Sequence, residues 1–458
     1  MKKSYKGSVT VYLSLTIVIL IAFVGAILES ASIQTMKNIR RDKVGLGMES
    51  VFAEYQKVLW EQYHIFAIDA TYEDKAFDLE NTLSRLEFYA GRNDSSTVER
   101  AALLTDFNGQ AFFEQAIFYA RNKLGLDLFE GVNQEAKWEQ EREKADEALS
   151  EAERVENKIV EAQAEQNKEL PKEDNPMKQV EELKATSILQ LVCENKESLS
   201  KAVFSAEQAS KREKNRGFGE FTSKVSMNDP LLTPLLGVYI VDHFKTALSE
   251  DIEEDEDVIR YEMEYLIAGR DSDIRNLEAV VNRIILLRYA ANYAYILTDT
   301  QKNAEALALA ASLTTLFALP GFTEIVKQGI LLAWAYGESI MDAKALLAGD
   351  KIGIVKTKET WKLQLGNLSS VGQEKVVTED DDSESGLGYQ EYLMILLLLE
   401  SKENIVARAM DVVEENMQNK FGMEFFKIDQ CISKMEVRTI SHLRRGIDYE
   451  FLTYYGYE

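Results

Sequence analysis

Two carboxylates, Glu338 and Asp342, stand four positions apart inside an apolar run. At 100° per residue that spacing puts both on one face of a helix. A carboxylate withdrawn from water needs a cation beside it, or its pKa rises. Arg283 and Arg288, in the preceding apolar segment, are the candidate cations. We therefore expect a structural ion-pair network of Arg283, Arg288, Glu338 and Asp342. The competing role, an acid/base pair, has no accompanying binding-site signature. A second acidic set, Asp380, Asp382 and Glu384 with Glu391, approaches the oxygen spacing of a calcium loop. Ser385 occupies the sixth position, where the sharp turn requires glycine, so a solvated acidic loop is expected and no metal is assigned. His64, His243 and His442 are the only histidines, and no HExxH, paired CxxC, nucleophile elbow or phosphate loop accompanies them. Each reads as a surface or packed residue. No catalytic residue and no cofactor is assigned, and the protein is read as non-enzymatic. Cys193 and Cys431 are too few for a disulfide framework or a zinc cluster. A single bridge between them and two unrelated buried thiols both remain open.

The chain that positions these groups has 458 residues, a net charge of −25, 46% hydrophobic and 28% charged residues. That is an ordinary globular balance, with ample length for a large core. The negative charge excludes nucleic acid as a partner, because phosphate binding needs a basic surface. It also argues against the bulk of the protein lying flat on anionic lipid.

Val9 to Leu28 carries no charged side chain. As a helix it would span about 30 Å, the thickness of a bilayer core. Lys2, Lys3 and Lys6 precede it, as in a signal-anchor. A secretory peptide cleaved at Ser30-Ala31-Ser32 is the rival reading, but the apolar run exceeds the usual ~7–15-residue core of such peptides. Lys37, Arg40, Arg41 and Lys43 follow, so both ends are basic. Long domains translocate largely regardless of charge. The expected arrangement is a single span in the cell membrane, with the N-terminus cytoplasmic and the bulk of the chain extracytoplasmic. Ser14, Thr16, Ala22, Gly25 and Ala26, with Glu29 at the end of the span, offer small or polar contacts suited to helix association.

Beyond the anchor the pattern predicts a mainly α fold, with a small antiparallel β element near the C-terminus. Residues 1–7 form a basic leader and 8–32 the anchor. Residues 33–130 read as a membrane-proximal helical module, with Gly45 and Gly47 interrupting its first helix. In 131–211, Trp138, Ala145, Ala152 and Ile159 recur every seven residues, as in a helical hairpin with a weak, alanine-rich heptad. Residues 212–420 form a helical core, in which Leu277 to Leu297 is apolar on almost every side and is expected to be the central helix. Residues 304–319 and 323–347 read as a soluble hairpin, because charged residues punctuate them. Residues 421–458 are rich in β-formers around an Arg444-Arg445-Gly446 turn and read as a hairpin.

The leader Met1 to Gly7, followed at Ser8 by the apolar helix, resembles that of type IV pilin-like proteins, which are cut after the glycine. Those proteins usually carry glutamate at the fifth mature position, where this chain has Tyr12. Glu29 stands where the span ends, as in TadE/TadG-like pseudopilins. Further on, Tyr261-Glu-Met-Glu-Tyr-Leu-Ile-Ala-Gly-Arg270 with Asn276, and Trp334-Ala-Tyr-Gly-Glu338 with Asp342, form recognisable segments. So do Lys358 with Trp361, Gly386-Leu-Gly-Tyr389 with Tyr392, and Arg408-Ala-Met-Asp411. Together they make the chain similar to an uncharacterised family of Gram-positive surface proteins encoded with tight-adherence (Tad, or Flp) pilus machinery. The resemblance implies a pseudopilin-like component working with other pilin-like subunits and a membrane assembly platform. The alternative is an independent cell-surface binding protein that uses the helix only as a tether. An extracytoplasmic hydrolase is the third reading.

Overall fold

The computed structural model describes residues 6–72, 76–91, 94–124, 150, 154, 157–158, 161, 176–193, 199–204, 208–249, 258–316, 321–353, 355–371 and 386–457. Most of the heptad segment, and Asp380, Asp382 and Glu384 of the acidic loop, lie outside them. The fold is mainly α, with a small antiparallel sheet near the C-terminus. The chain divides into two compact units: Met1–Gln115 with Glu213–Val225 and Glu424–Glu458, and Ala116–Arg212 with Ser226–Met423.

The first unit is built on α1 (Lys6–Phe52), a helix of 47 residues. Gly45 and Gly47 do not interrupt it. A Cβ on Gly47 would sit 3.0 Å from Leu86 Cδ1 and 3.1 Å from Ala90 Cβ, so this glycine lets α3 (Leu79–Ala90) pack closely against α1. α1 ends at Phe52, and α2 (Lys57–Tyr63) restarts under a Gln56 cap. β1 (Ile68–Asp69), β2 (Asp94–Leu103), β3 (Cys431–Leu443) and β4 (Ile447–Gly456) make an antiparallel sheet with β3 in the middle. β2 covers one edge of β3, with Val98 opposite Val437. β1 and β4 share the other edge end to end, at Ile432 and at Lys434–Leu443. The C-terminal strands therefore form a hairpin, but one completed by N-terminal residues. The core lies where Val44, Met48, Val51 and Phe52 of α1 meet Leu83, Leu86, Leu103, Ile432, Met435 and Val437. Burial of these side chains, at about 1.5–3 kcal/mol for each large one, fixes the outer half of α1 to the sheet.

The second unit holds α5 (Pro176–Ala185), α6 (Ile188–Val192), α7 (Thr233–His243), α8 (Glu262–Ala268), α9 (Asp273–Thr298), α10 (Thr300–Leu316), α11 (Thr323–Leu347), α12 (Tyr389–Leu399) and α13 (Lys402–Asn419). α4 (Asp106–Leu124) contributes its second half. The central helix is α11, not α9. Ile330 to Leu346 is buried on every side, whereas Ile274 and Leu297 at the ends of α9 are exposed. An all-round buried helix is the mark of a core element. α9, α10, α5 and α6 surround it. The stretch around Trp361 is irregular, and polar side chains hold it.

Candidate functional site

Two features carry chemistry: the exposed half of α1, and two buried polar centres in the second unit. Among the described residues, α1 is the one helix long and apolar enough to cross a bilayer. Its most apolar window has a mean hydropathy of 2.7, and none of it is buried in the protein. Gly7 and Ser8 lie in its first turns. The Ser14 hydroxyl donates to Val11 O at 2.9 Å and that of Thr16 to Tyr12 O at 2.8 Å. Back-bonding of this kind satisfies a hydroxyl inside lipid without a second helix. Around the helix, Ser14, Ala22, Gly25 and Glu29 fall within about 80° of one another. Ala26 stands about 40° further round, and Thr16 faces another way.

The first polar centre contains three of the four predicted ion-pair residues, Arg288, Glu338 and Asp342, with Lys356 in the place of Arg283. Arg288 Nε donates to Asp342 Oδ2 at 2.9 Å. Arg283, five residues earlier, points about 140° away around the helix and reaches Glu400 at 3.5 Å instead. The cation for Glu338 is Lys356, which also lies 2.7 Å from Asp342 Oδ1. Lys356 completes its three donors on Thr360 O at 2.9 Å. Asn292 donates to Asp342 at 3.0 Å, and Arg288 Nη1 donates to Tyr392 Oη and Gly353 O, both at 3.1 Å. Glu338 in turn accepts the Lys362 and Leu363 backbone N–H groups at 3.0 and 2.7 Å. Trp334 and Trp361 both donate to Leu363 O at 2.8 Å, so the irregular segment after Lys356 is clamped from two sides. Burial pushes the Glu338 carboxyl above its ordinary range, against the pull of Lys356. Burial pushes Asp342 the same way, but Lys356 and Arg288 together hold it below its ordinary range. Two cations and two anions, all closed on internal partners, clamp α11 to the segment that follows Lys356. Lys356 was missed because it lies outside any periodic element. The signal was its place in an apolar stretch, Ile352-Gly-Ile-Val-Lys356.

The second centre forms around α8 and has a different balance. Glu262 accepts Lys245 N at 2.7 Å and Asn416 Nδ2 at 2.6 Å. Glu264 accepts Ala247 N at 2.9 Å and Tyr389 Oη at 2.7 Å. Asp273 accepts Ser200 Oγ at 2.6 Å and Arg260 N at 2.9 Å. Tyr265 donates to Asp411 at 2.8 Å, and Arg408 caps α8 through Leu266 O and Ile267 O at 2.7 and 2.9 Å. Asn276 bridges both backbone groups of Arg270 in the turn between α8 and α9. Glu262, Glu264, Tyr265, Asn276, Tyr389, Arg408 and Asp411 belong to the recognisable segments, and they seat turns and helix ends. Burial pushes the Glu264 carboxyl from near 4.5 up to about 7, and raises Asp273 and Asp411 as well.

A raised folded pKa gives stability that is full below the unfolded value and is lost as pH climbs through the folded one. Ionising Glu264 by pH 8 therefore costs the fold roughly 3 kcal/mol. Glu264→Gln keeps the acceptor and removes the charge. It is expected to stabilise the second unit by up to that amount at pH 8 and by nothing below pH ~4.5. Paired urea titrations across that range check this, and a pH-independent difference would refute it.

The Glu391 side chain caps its own helix by accepting Gly388 N at 3.0 Å, while Asp380, Asp382 and Glu384 lie outside the described residues. Among the described residues no three His, Cys, Asp or Glu side chains gather as metal ligands. His243 packs on Tyr239 and Tyr119, His64 against Trp60, and exposed His442 meets Asp448 at 2.6 Å. Cys193 and Cys431 form no disulfide.

No curated protein and no solved structure matches the chain. A family of unknown function (DUF5702) matches residues 166–442, which takes in the buried polar centres and leaves out α1. That match spans more than half of the sequence, and the chain belongs to this family.

Proposed function

We propose that the protein is a non-enzymatic, single-span, pseudopilin-like component or assembly factor of a tight-adherence pilus or related secretion system. The observation that carries this reading is the form of α1: one unbroken helix, bare at its apolar end and fixed to a small antiparallel sheet at the other. The resemblance of the leader, with Gly7 and Ser8 at its cleavage point, supports it. So does a stripe that runs along α1. Val18, Gly25, Ser32, Ile39 and Leu46 fall seven apart, so they drift only about 20° per heptad. Ile39 and Leu46 are 44% and 62% exposed. Leu46 stands about 140–160° around the helix from Val44, Met48 and Val51, which hold the sheet. A stripe with Gly25 and Ser32 at its middle and exposed Ile39 and Leu46 beyond them suits packing against the equivalent helix of another subunit. In this reading the head is extracytoplasmic, the closed polar centres keep it rigid, and the other pilin-like subunits and the platform are the partners.

Mass spectrometry of the N-terminus in the membrane fraction tests the reading, together with oxidative cross-linking of Ile39→Cys and Leu46→Cys variants. A mature N-terminus at Ser8 and cross-links to pilin-like proteins are expected. An N-terminus at Met1 with no cross-link would instead favour a free-standing surface binding protein on a plain tether.

A further inference from the structure

We propose that the end of the first unit nearest the span is a binding surface for anionic phospholipid headgroups. The proposal rests on the reading that the apolar half of α1 lies in a bilayer. The direction of the sheet follows from its contacts with α1. Phe52 meets Tyr455 at 4.7 Å and Tyr457 at 5.1 Å between ring centroids. Eleven residues nearer the span, Arg41 donates to Tyr449 Oη at 2.5 Å, and Lys37 Nζ lies 5.0 Å from the same ring. Moving along α1 toward the lipid thus means moving along β4 toward the β3–β4 turn, Arg444–Gly446. From Tyr449 the turn reaches roughly 10 Å further at strand rise. That corresponds to about seven residues of α1 and brings the turn to the level of residues 30–34, where the apolar run has just ended.

The charges at this end oppose those of the molecule. Lys37, Arg40, Arg41 and Lys43 project from α1 at the level of Tyr449, and Arg444 is exposed in the turn. The acidic groups nearby are Asp42, Asp94, Asp448, Glu450 and Glu29, of which Glu450 pairs with Arg438. Asp94 pairs with Arg40 at 3.5 Å and Asp448 with His442. Lys37 and Arg41 are held against Tyr449, so their charges are fixed in place, while Lys43 and Arg444 extend from the rim. A chain of net charge −25 is repelled by an anionic surface over most of its area. A basic rim at the one end that the anchor brings to the headgroups would set the head upright, with lysine and arginine on lipid phosphates.

The test uses the full-length protein in vesicles of phosphatidylcholine alone or mixed with phosphatidylglycerol. A photoreactive phenylalanine analogue replaces Ile447 beside the turn, and lipid adducts are measured by mass spectrometry. Flotation with both kinds of vesicle reports the anchor independently. If the protein floats with neither, the reading of α1 fails, and this proposal with it. If it floats with both, adducts several-fold enriched in phosphatidylglycerol are expected, falling at high salt and on combined Lys43→Glu and Arg444→Glu substitution. Equal labelling of the two lipids, labelling unchanged by the substitutions, or adducts to a second protein chain in place of lipid would overturn the proposal while leaving the anchor intact.

Discussion

Lys356→Met is expected to destabilise the second unit by about 3–5 kcal/mol, the usual cost of leaving a buried charge without its partner. Lys356 is buried and gives all three donors to Glu338, Asp342 and Thr360 O. Without it, Glu338 keeps two backbone N–H donors but no counter-charge. Asp342 keeps Arg288 and Asn292, so the damage falls mainly on Glu338. Glu338→Gln in the same chain removes the stranded charge and still accepts from Lys362 or Leu363. The double variant should recover part of the loss, by roughly 1–2 kcal/mol. The pH dependence has a definite sign. With Lys356 gone, the Glu338 pKa rises further, so the single variant should regain stability as pH falls and the carboxyl takes a proton. Urea midpoints followed by the fluorescence of Trp334 and Trp361, which flank the clamp, would show both effects. A loss under 1 kcal/mol, or a double variant weaker than the single, would mean that the cluster does not act as a closed charge set.

The second large effect concerns the span. Removing residues 2–32 is expected to transfer the protein from the membrane fraction to the soluble fraction. Thirteen Leu, Ile, Val and Phe side chains lie between Val9 and Leu28. At about 0.3–0.6 kcal/mol each near the centre of a span, they favour insertion by roughly 4–8 kcal/mol. The contacts that fix α1 to the sheet begin at Lys37 and Val44, beyond the deletion. The shortened head should therefore keep its circular dichroism and thermal midpoint. Fractionation of intact cells supplies the control: unprocessed full-length protein that stayed soluble without detergent would remove the basis for an anchor.

How far the sequence revealed the fold depends on how local each feature is. α11 and α12 were legible because apolar periodicity and a breaker at each end are contained within the segments themselves. The C-terminal hairpin was legible because both strands and their turn are contiguous. The pairing of β2 with β3 was not, since Val98 and Val437 meet across most of the chain and alternation alone names no partner. The charge clamp was half visible. Glu338 and Asp342 declare themselves by their spacing on one helix. The choice between Arg283 and Arg288 depends on the azimuth of a second helix, and Lys356 depends on the path of an irregular segment. Gly47 illustrates the opposite error: a residue type that often breaks helices here marks where two of them come close.

The middle position of β3 sets an order of events during synthesis. Tyr457 donates its hydroxyl to Phe52 O across 405 positions of sequence. At 5–20 residues per second, a ribosome needs roughly 20–80 s to travel that far. On the proposed reading, the anchor can engage the translocation machinery and settle in lipid long before its own head has a sheet to close on. Throughout that interval Val44, Met48 and Phe52 have none of the cover that Ile432, Met435 and Val437 will provide. On that reading the nascent protein is tethered early and finished late, and premature termination shortly before Cys431 would leave a membrane-held chain whose first unit lacks β3 and β4.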